Sequence, residues 1–126
     1  MNKKRQVTRV NVAVQGWRDI GGQRNFYRSK MEMNFARFLQ FMKDNGSIKH
    51  WEYECDTFYF PVNRGINNYK PDFLAIEMDG RKVYYEVKGY MDRASITKLK
   101  RMEKYHPEIE LIVIDKSWFP SHDLVE

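Results

Sequence analysis

Apolar positions along the chain follow two periods. From Ser29 to Asn45, Met31, Phe35, Phe38, Leu39 and Met42 recur at helical spacing and define one apolar face. Ser29 three residues before Glu32 reads as a capping box, and Gly46 supplies the stop. A second helix is expected from Arg93 to Tyr105, with Ile96, Leu99 and Met102 inward, Lys98, Lys100, Arg101 and Lys104 outward, and Pro107 just beyond. Between the helices the period falls to two. Residues 51–60 alternate aromatics with acids up to Asp56 and read as one half-buried strand closed by Pro61. Residues 62–70, with Asn63, Gly65, Asn67 and Asn68, read as a polar loop. Two β-rich runs, 72–77 and 81–88, flank Asp79-Gly80 and predict a hairpin. The nearly all-apolar run Ile109 to Ile114 predicts a strand buried on both faces. Near the N-terminus, Val10, Val12 and Val14 alternate in a short strand pattern, and Gly21-Gly22 reads as a flexible break.

The order helix, three strands, helix, strand predicts an α/β fold with a mixed central β-sheet flanked by helices. The last crossover, from strand 81–88 through the helix to 109–114, is expected to be right-handed and parallel.

Composition narrows the classes. At 126 residues with 42% hydrophobic and 15% aromatic content, the chain suits one packed domain, not a disordered one. No run approaches the length of a membrane span, and no apolar stretch follows the basic N-terminus, so neither membrane insertion nor secretion is expected. Cys55 stands alone, which excludes an intrachain disulfide and a thiolate zinc cluster and fits a reducing cytoplasm. Charge is uneven. Residues 1–30 carry Lys3, Lys4, Arg5, Arg9, Arg18, Arg24, Arg28 and Lys30 against Asp19 alone, while the remainder is slightly acidic. A basic arm over residues 1–26 on a body over 27–126 suits a polyanionic partner as well as it suits a solubilising tail.

The chemistry concentrates in Pro71-Asp72 and Glu86-Val87-Lys88. Residues 86 and 88 lie two apart on a strand, so both side chains project from one face. Asp72 lies at the matching end of the partner strand. Adjacent carboxylates repel unless a cation sits between them, and an all-oxygen set without His or Cys suits Mg2+, with Mn2+ as substitute. A neighbouring lysine can position water or stabilise charge on a phosphate. The register decides whether this works. A two-residue Asp79-Gly80 turn puts Asp72 opposite Val87, away from Glu86. A three-residue Met78-Asp79-Gly80 loop, with Gly80 left-handed, puts Asp72 opposite Glu86.

Glu32 on the first helix, Pro71-Asp72 and Glu86-Val87-Lys88-Gly89, in this order, resemble the PD-(D/E)XK nuclease superfamily over roughly residues 27–114. The order of elements is similar to the phage endonuclease I and Holliday-junction resolvase branch. The resemblance implies a restriction-endonuclease-like core and a magnesium-dependent endodeoxyribonuclease. Asp72, Glu86 and the Val87 carbonyl would ligate the metal. Lys88 would orient or activate water, and Glu32 would reach the metal through water or hold a second cation. Glu54 sits where some members carry another acid. DNA, branched or duplex, would be the partner, gripped by Lys3, Lys4, Arg5, Arg9, Arg28, Lys98 and Arg101. A homodimer is expected, because cutting two strands needs two active sites. The expected setting is the cytoplasm of a bacterium or a phage-infected cell.

Plainer readings stand beside these. Glu32 also suits a capping partner for Ser29, and Glu54 a solvent-facing strand acid. Lys98, Lys100, Arg101 and Lys104 suit a solvated helix face as well as a phosphate ridge. Tyr27 and Arg28 suit either phosphate contact or packing, His50, His106 and His122 read as surface residues, and Trp118 and Phe119 read as core or dimer contacts. A nicking or recombination nuclease of the same superfamily, and a non-catalytic DNA-binding module on a nuclease fold, remain as alternatives to the resolvase.

Overall fold

A computed structural model describes residues 15–119. Lys3, Lys4, Arg5, Arg9, the Val10–Val14 strand pattern and His122 lie outside the described residues. The fold is mixed α/β. Strands β1 (Gly16–Ile20) and β2 (Gln23–Tyr27) lead to helix α1 (Lys30–Asp44) and strand β3 (Ile48–Tyr53). Short strands β4 (Phe58–Tyr59) and β5 (Asn68–Tyr69) follow, then β6 (Phe73–Glu77), β7 (Lys82–Val87), helix α2 (Arg93–Tyr105) and β8 (Leu111–Ile114). The central sheet has the order β3-β6-β7-β8, with β7 and β8 parallel and the other pairs antiparallel. Among the described residues, no helix is long and apolar enough to cross a membrane.

Alternation along the strands splits the interior into two layers. Phe73, Ala75, Val87 and Ile114 face α1 and join Phe35, Leu39, Trp51 and Tyr27 in the main core. Phe35 is its hub, in ring contact with Phe38, Phe73, Tyr85 and Trp118 at centroid separations of 5.0–5.8 Å. Trp118 and Phe119 thus pack as core residues. On the other face, Phe60, Tyr69 and Met102 form a smaller core under α2.

Helix α1 matches the expected span, and its end is closed by Gly46 N–H to the Lys43 carbonyl and Ser47 N–H to the Met42 carbonyl. Its start departs from a full capping box. The Ser29 hydroxyl accepts from Glu32 N–H at 3.1 Å, but the Glu32 carboxylate accepts the N–H of Arg28 at 2.7 Å. Helix α2 spans the expected residues, with Asp92 accepting from Ser95 N–H. Ser95 and Met102 are its buried positions, whereas Ile96, expected inward, is 41% exposed. The cover over this sheet face is shared with β4 and β5, so a thirteen-residue helix need not bury its first turn.

Four sequence expectations are corrected. The run 51–60 is two strands. Glu54 takes a left-handed φ of 49°, which ends β3 and turns the chain before β4. The polar loop contains β5, which pairs with β4. The apolar run near the C-terminus forms the sheet edge. Ile112 and Val113 are each 38% exposed, because among the described residues no strand covers the far side of β8. Gly21-Gly22 is a tight hairpin turn instead of a flexible break. It registers Ile20 against Gln23 and Gly16 against Tyr27, and Ile20 and Tyr27 are buried in the main core. Residues 16–27 therefore belong to the packed body, and the charge-based boundary after residue 26 falls inside β2.

Gly21 is the position in this turn that tolerates least change. Its φ is +62°, and an added Cβ would collide with the Gln40 carboxamide. That carboxamide accepts from Trp51 Nε1 and donates to Asp44, both at 2.8 Å. Gly21→Ala is expected to lower stability by about 2 kcal/mol in denaturant titration, through left-handed strain and displacement of Gln40. Gly22→Ala, with open space around it, should cost less.

Candidate functional site

The β6–β7 hairpin resolves the register question. Phe73 pairs with Tyr85, Leu74 with Tyr84, Ala75 with Val83 and Ile76 with Lys82. Glu77 N–H bonds the Arg81 carbonyl, and Gly80, at a φ of +91°, bonds back to Glu77. The loop is therefore Met78-Asp79-Gly80, as the metal-site reading requires. The same register brings Asp72 opposite Glu86, and both share the α2-side face with Lys88.

Asp72 stands one residue before β6, where the backbone ladder ends. Its Oδ2 accepts the Val87 N–H at 2.8 Å, and its own carbonyl accepts from Glu54 N–H at 2.8 Å. These bonds pin the carboxyl at the junction of β3, β6 and β7. Glu86 is held from the small sheet, where the buried Tyr69 hydroxyl donates to Oε1 at 2.6 Å.

Burial dominates the electrostatics of this pair. Loss of solvation, then the charge of Glu86, pushes Asp72 up to about 8, with the Val87 N–H opposing and Glu32 adding to the rise. Glu86 is also raised by burial, against the Tyr69 hydrogen bond and the charges of Lys88 and Lys98. No Lys or Arg nitrogen among the described residues lies within salt-bridge distance of either carboxylate. Two desolvated acids side by side without a bonded cation are costly as built, and a bound cation would relieve that cost.

Glu32 enters from α1. It accepts from Arg28 N–H and from the Tyr53 hydroxyl, the latter at 3.0 Å, and lies 3.9 Å from the Arg28 guanidinium. Arg28 also pairs with Glu54. Tyr27 is fully buried against Tyr53 and Phe73, so it packs and does not face solvent. Lys98 lies on α2 near enough to Glu86 and Asp92 to favour their charged forms. The Arg101 guanidinium donates to the Ile66 carbonyl, which ties α2 to the segment before β5. His106, expected at the surface, is wedged against Phe58 and Phe60 and bonds the Tyr59 carbonyl at 2.8 Å. His50 bridges Lys43 and Glu52 at the other sheet edge.

Among the described residues no group of three or more His, Cys, Asp or Glu side chains is arranged to hold a metal ion. The protein thus offers two carboxylates, Asp72 and Glu86, with Glu32 engaged by its own partners. Two carboxylates with waters are an ordinary donor set for Mg2+, which retains much of its hydration. The residues fit that cation and not a soft metal.

Sequence reasoning misses the two tyrosines that orient the acids. Tyr69 is the lone aromatic in a polar stretch and Tyr53 an aromatic in the alternating strand, and these are the signals that point to them. A scan against protein-family models gives no match, and a search of curated proteins finds no relative.

Proposed function

We propose that the chain is a metal-dependent DNA endonuclease with a restriction-endonuclease-like core, centred on Asp72, Glu86 and Lys88. The observation that carries this reading is buried Asp72 with half-buried Glu86 facing it across the hairpin and Lys88 two residues beyond on the same face. A purely structural pair of acids would gain nothing from such burial, whereas a cation-binding pair needs it.

Asp72 and Glu86 would hold Mg2+ or Mn2+, with the Val87 carbonyl as the third ligand that the resemblance implies. The ion would supply Lewis-acid charge at a phosphate oxygen. Tyr69 and the Val87 N–H fix the two carboxylates so that they need not reorganise on binding. Lys88 presents a fixed positive charge beside them, suited to orient the attacking water and to offset charge on the phosphate. Lys98, on the first turns of α2, adds a second cation on the Glu86 side. Glu32, held by Arg28 N–H and Tyr53, bounds the site from α1 and raises the electrostatic demand for a cation at Asp72. Water would attack phosphorus and give up a proton to solvent, one P–O ester bond would break, and the departing oxygen would take a proton from solvent.

The basic residues 1–30 favour DNA over a small phosphate ester, and a branched substrate cut by a homodimer is the leading reading. The deciding experiment incubates the protein with a four-way junction, a linear duplex, a flap and a single strand, with and without Mg2+. Junction cleavage that requires Mg2+ is expected. Binding without cleavage under every divalent cation would favour the non-catalytic DNA-binding module, and no binding at all would remove the DNA reading.

A further inference from the structure

The β1–β2 hairpin has two faces. Gly16, Arg18, Ile20, Gln23, Asn25 and Tyr27 lie on one, and Ile20 and Tyr27 bury it against the core. The other face points away from the body and carries the cross-strand pairs Trp17–Phe26 and Asp19–Arg24. Trp17 is 55% exposed and Phe26 39%. Their rings meet edge to face at 5.7 Å, and the Arg24 guanidinium lies 5.6 Å from the Trp17 ring centre while bonding Asp19 at 3.1 Å. The hairpin already has its anchors in Ile20 and Tyr27, so this outer aromatic pair is not needed to close a core. It leaves flat apolar rings and a guanidinium facing solvent.

We propose that this outer face is a stacking platform for unpaired bases of the nucleic-acid substrate. The inference rests on the DNA reading above and adds where strand-separated nucleotides would bind. Charge selects the occupant. The hairpin lies within residues 1–30, where eight basic side chains face one acid. A second copy of the chain would bring two such positive segments together, whereas a nucleotide offers a planar ring for Trp17 and Phe26 and a phosphate for the Arg24 guanidinium on the same face. Chain continuity ties the platform to the candidate site. Phe26 is two residues before Arg28, whose N–H is held by Glu32. Bases unpaired at a branch point would be captured there, on the segment that leads into the helix carrying Glu32, which would give a nuclease of this size its preference for branched over linear DNA.

The test uses the full chain in chelator, so that no cleavage occurs, titrated with a short oligothymidine and with a duplex of equal length. Trp51 is fully buried and Trp118 packs against Phe35, so a base stacking on the protein surface should quench Trp17. Oligothymidine is expected to quench the wild type, and Trp17→Phe should abolish that quenching while preserving most of the affinity. Trp17→Ala should weaken oligothymidine binding by roughly 5- to 150-fold, the range for losing one stacked base, and leave duplex binding unchanged. If Trp17→Ala fails to fold, the Trp17→Phe titration decides alone, since it keeps an aromatic cross-strand pair. Quenching that persists in Trp17→Phe, or oligothymidine and duplex affinities that fall together, would overturn the platform while leaving the nuclease reading intact. Loss of Trp17 fluorescence on self-association instead of DNA addition would also overturn it. Absence of binding to either DNA would remove both readings.

Discussion

Asp72→Asn and Lys88→Ala are each expected to reduce magnesium-dependent DNA cleavage by roughly a thousandfold or more, with DNA binding in chelator retained. The two fail for different reasons. Asparagine preserves the shape of Asp72, and its carbonyl oxygen can still accept the Val87 N–H that Oδ2 accepts at 2.8 Å. What is lost is the second charge beside Glu86, and with it the site for a divalent cation. Lys88→Ala leaves both carboxylates in place, so Mg2+ should still bind to it, and only chemistry should be lost. Calorimetric titration of Mg2+ into both variants separates the cases. Wild-type cleavage rates in either variant would move the active site elsewhere.

The second large effect is on stability and its pH dependence. Asp72 is raised to about 8 in the folded protein, above an ordinary unfolded aspartate. The folded state therefore holds a proton that the unfolded chain has released. By linkage, the contribution of this group is fully favourable below the unfolded value, near 4. It is lost progressively as pH rises towards the folded value near 8. Without metal, the melting temperature should fall as pH is raised across this window. The more usual carboxylate, lowered by a salt bridge, would give the opposite slope. Mg2+ should restore stability at the alkaline end by replacing the proton. Asp72→Asn should flatten the slope and melt above the metal-free wild type at pH 8, by at least about 1 kcal/mol. Thermal denaturation of both proteins between pH 5 and 8, with and without Mg2+, checks this. A wild-type curve that rises with pH would show that the pair is not destabilised by its own burial.

The heart of the candidate site is legible in the amino-acid sequence. Gly80 suits the third position of a Met78-Asp79-Gly80 loop, which sets Asp72 opposite Glu86, but Asp79-Gly80 suits a two-residue turn as well, and the folded register decides between them. Lys88 follows from the two-residue period of a strand. The basic count in residues 1–30 is equally plain. The hairpin at residues 16–27 is harder to see, although Gly21-Gly22 between two runs with alternating exposure carries the signal. High charge in Arg18, Asp19 and Arg24 masks it, because the burial of the inner face depends on only Ile20 and Tyr27.

Sequence alone determined the helices Lys30–Asp44 and Arg93–Tyr105, because period and caps act within a few residues of one another. Tertiary structure alone decided the rest. It put the apolar strand Leu111–Ile114 at the sheet edge, since composition does not reveal how many strands follow. It turned Glu32 from a reciprocal partner of Ser29 into an acceptor for Arg28 and Tyr53, since Tyr53 is 21 residues away in sequence. It brought Tyr69 from an apparent loop onto Glu86. Above all it desolvated Asp72 and Glu86. Spacing put the two acids face to face, but only the layers packed around them made that arrangement costly.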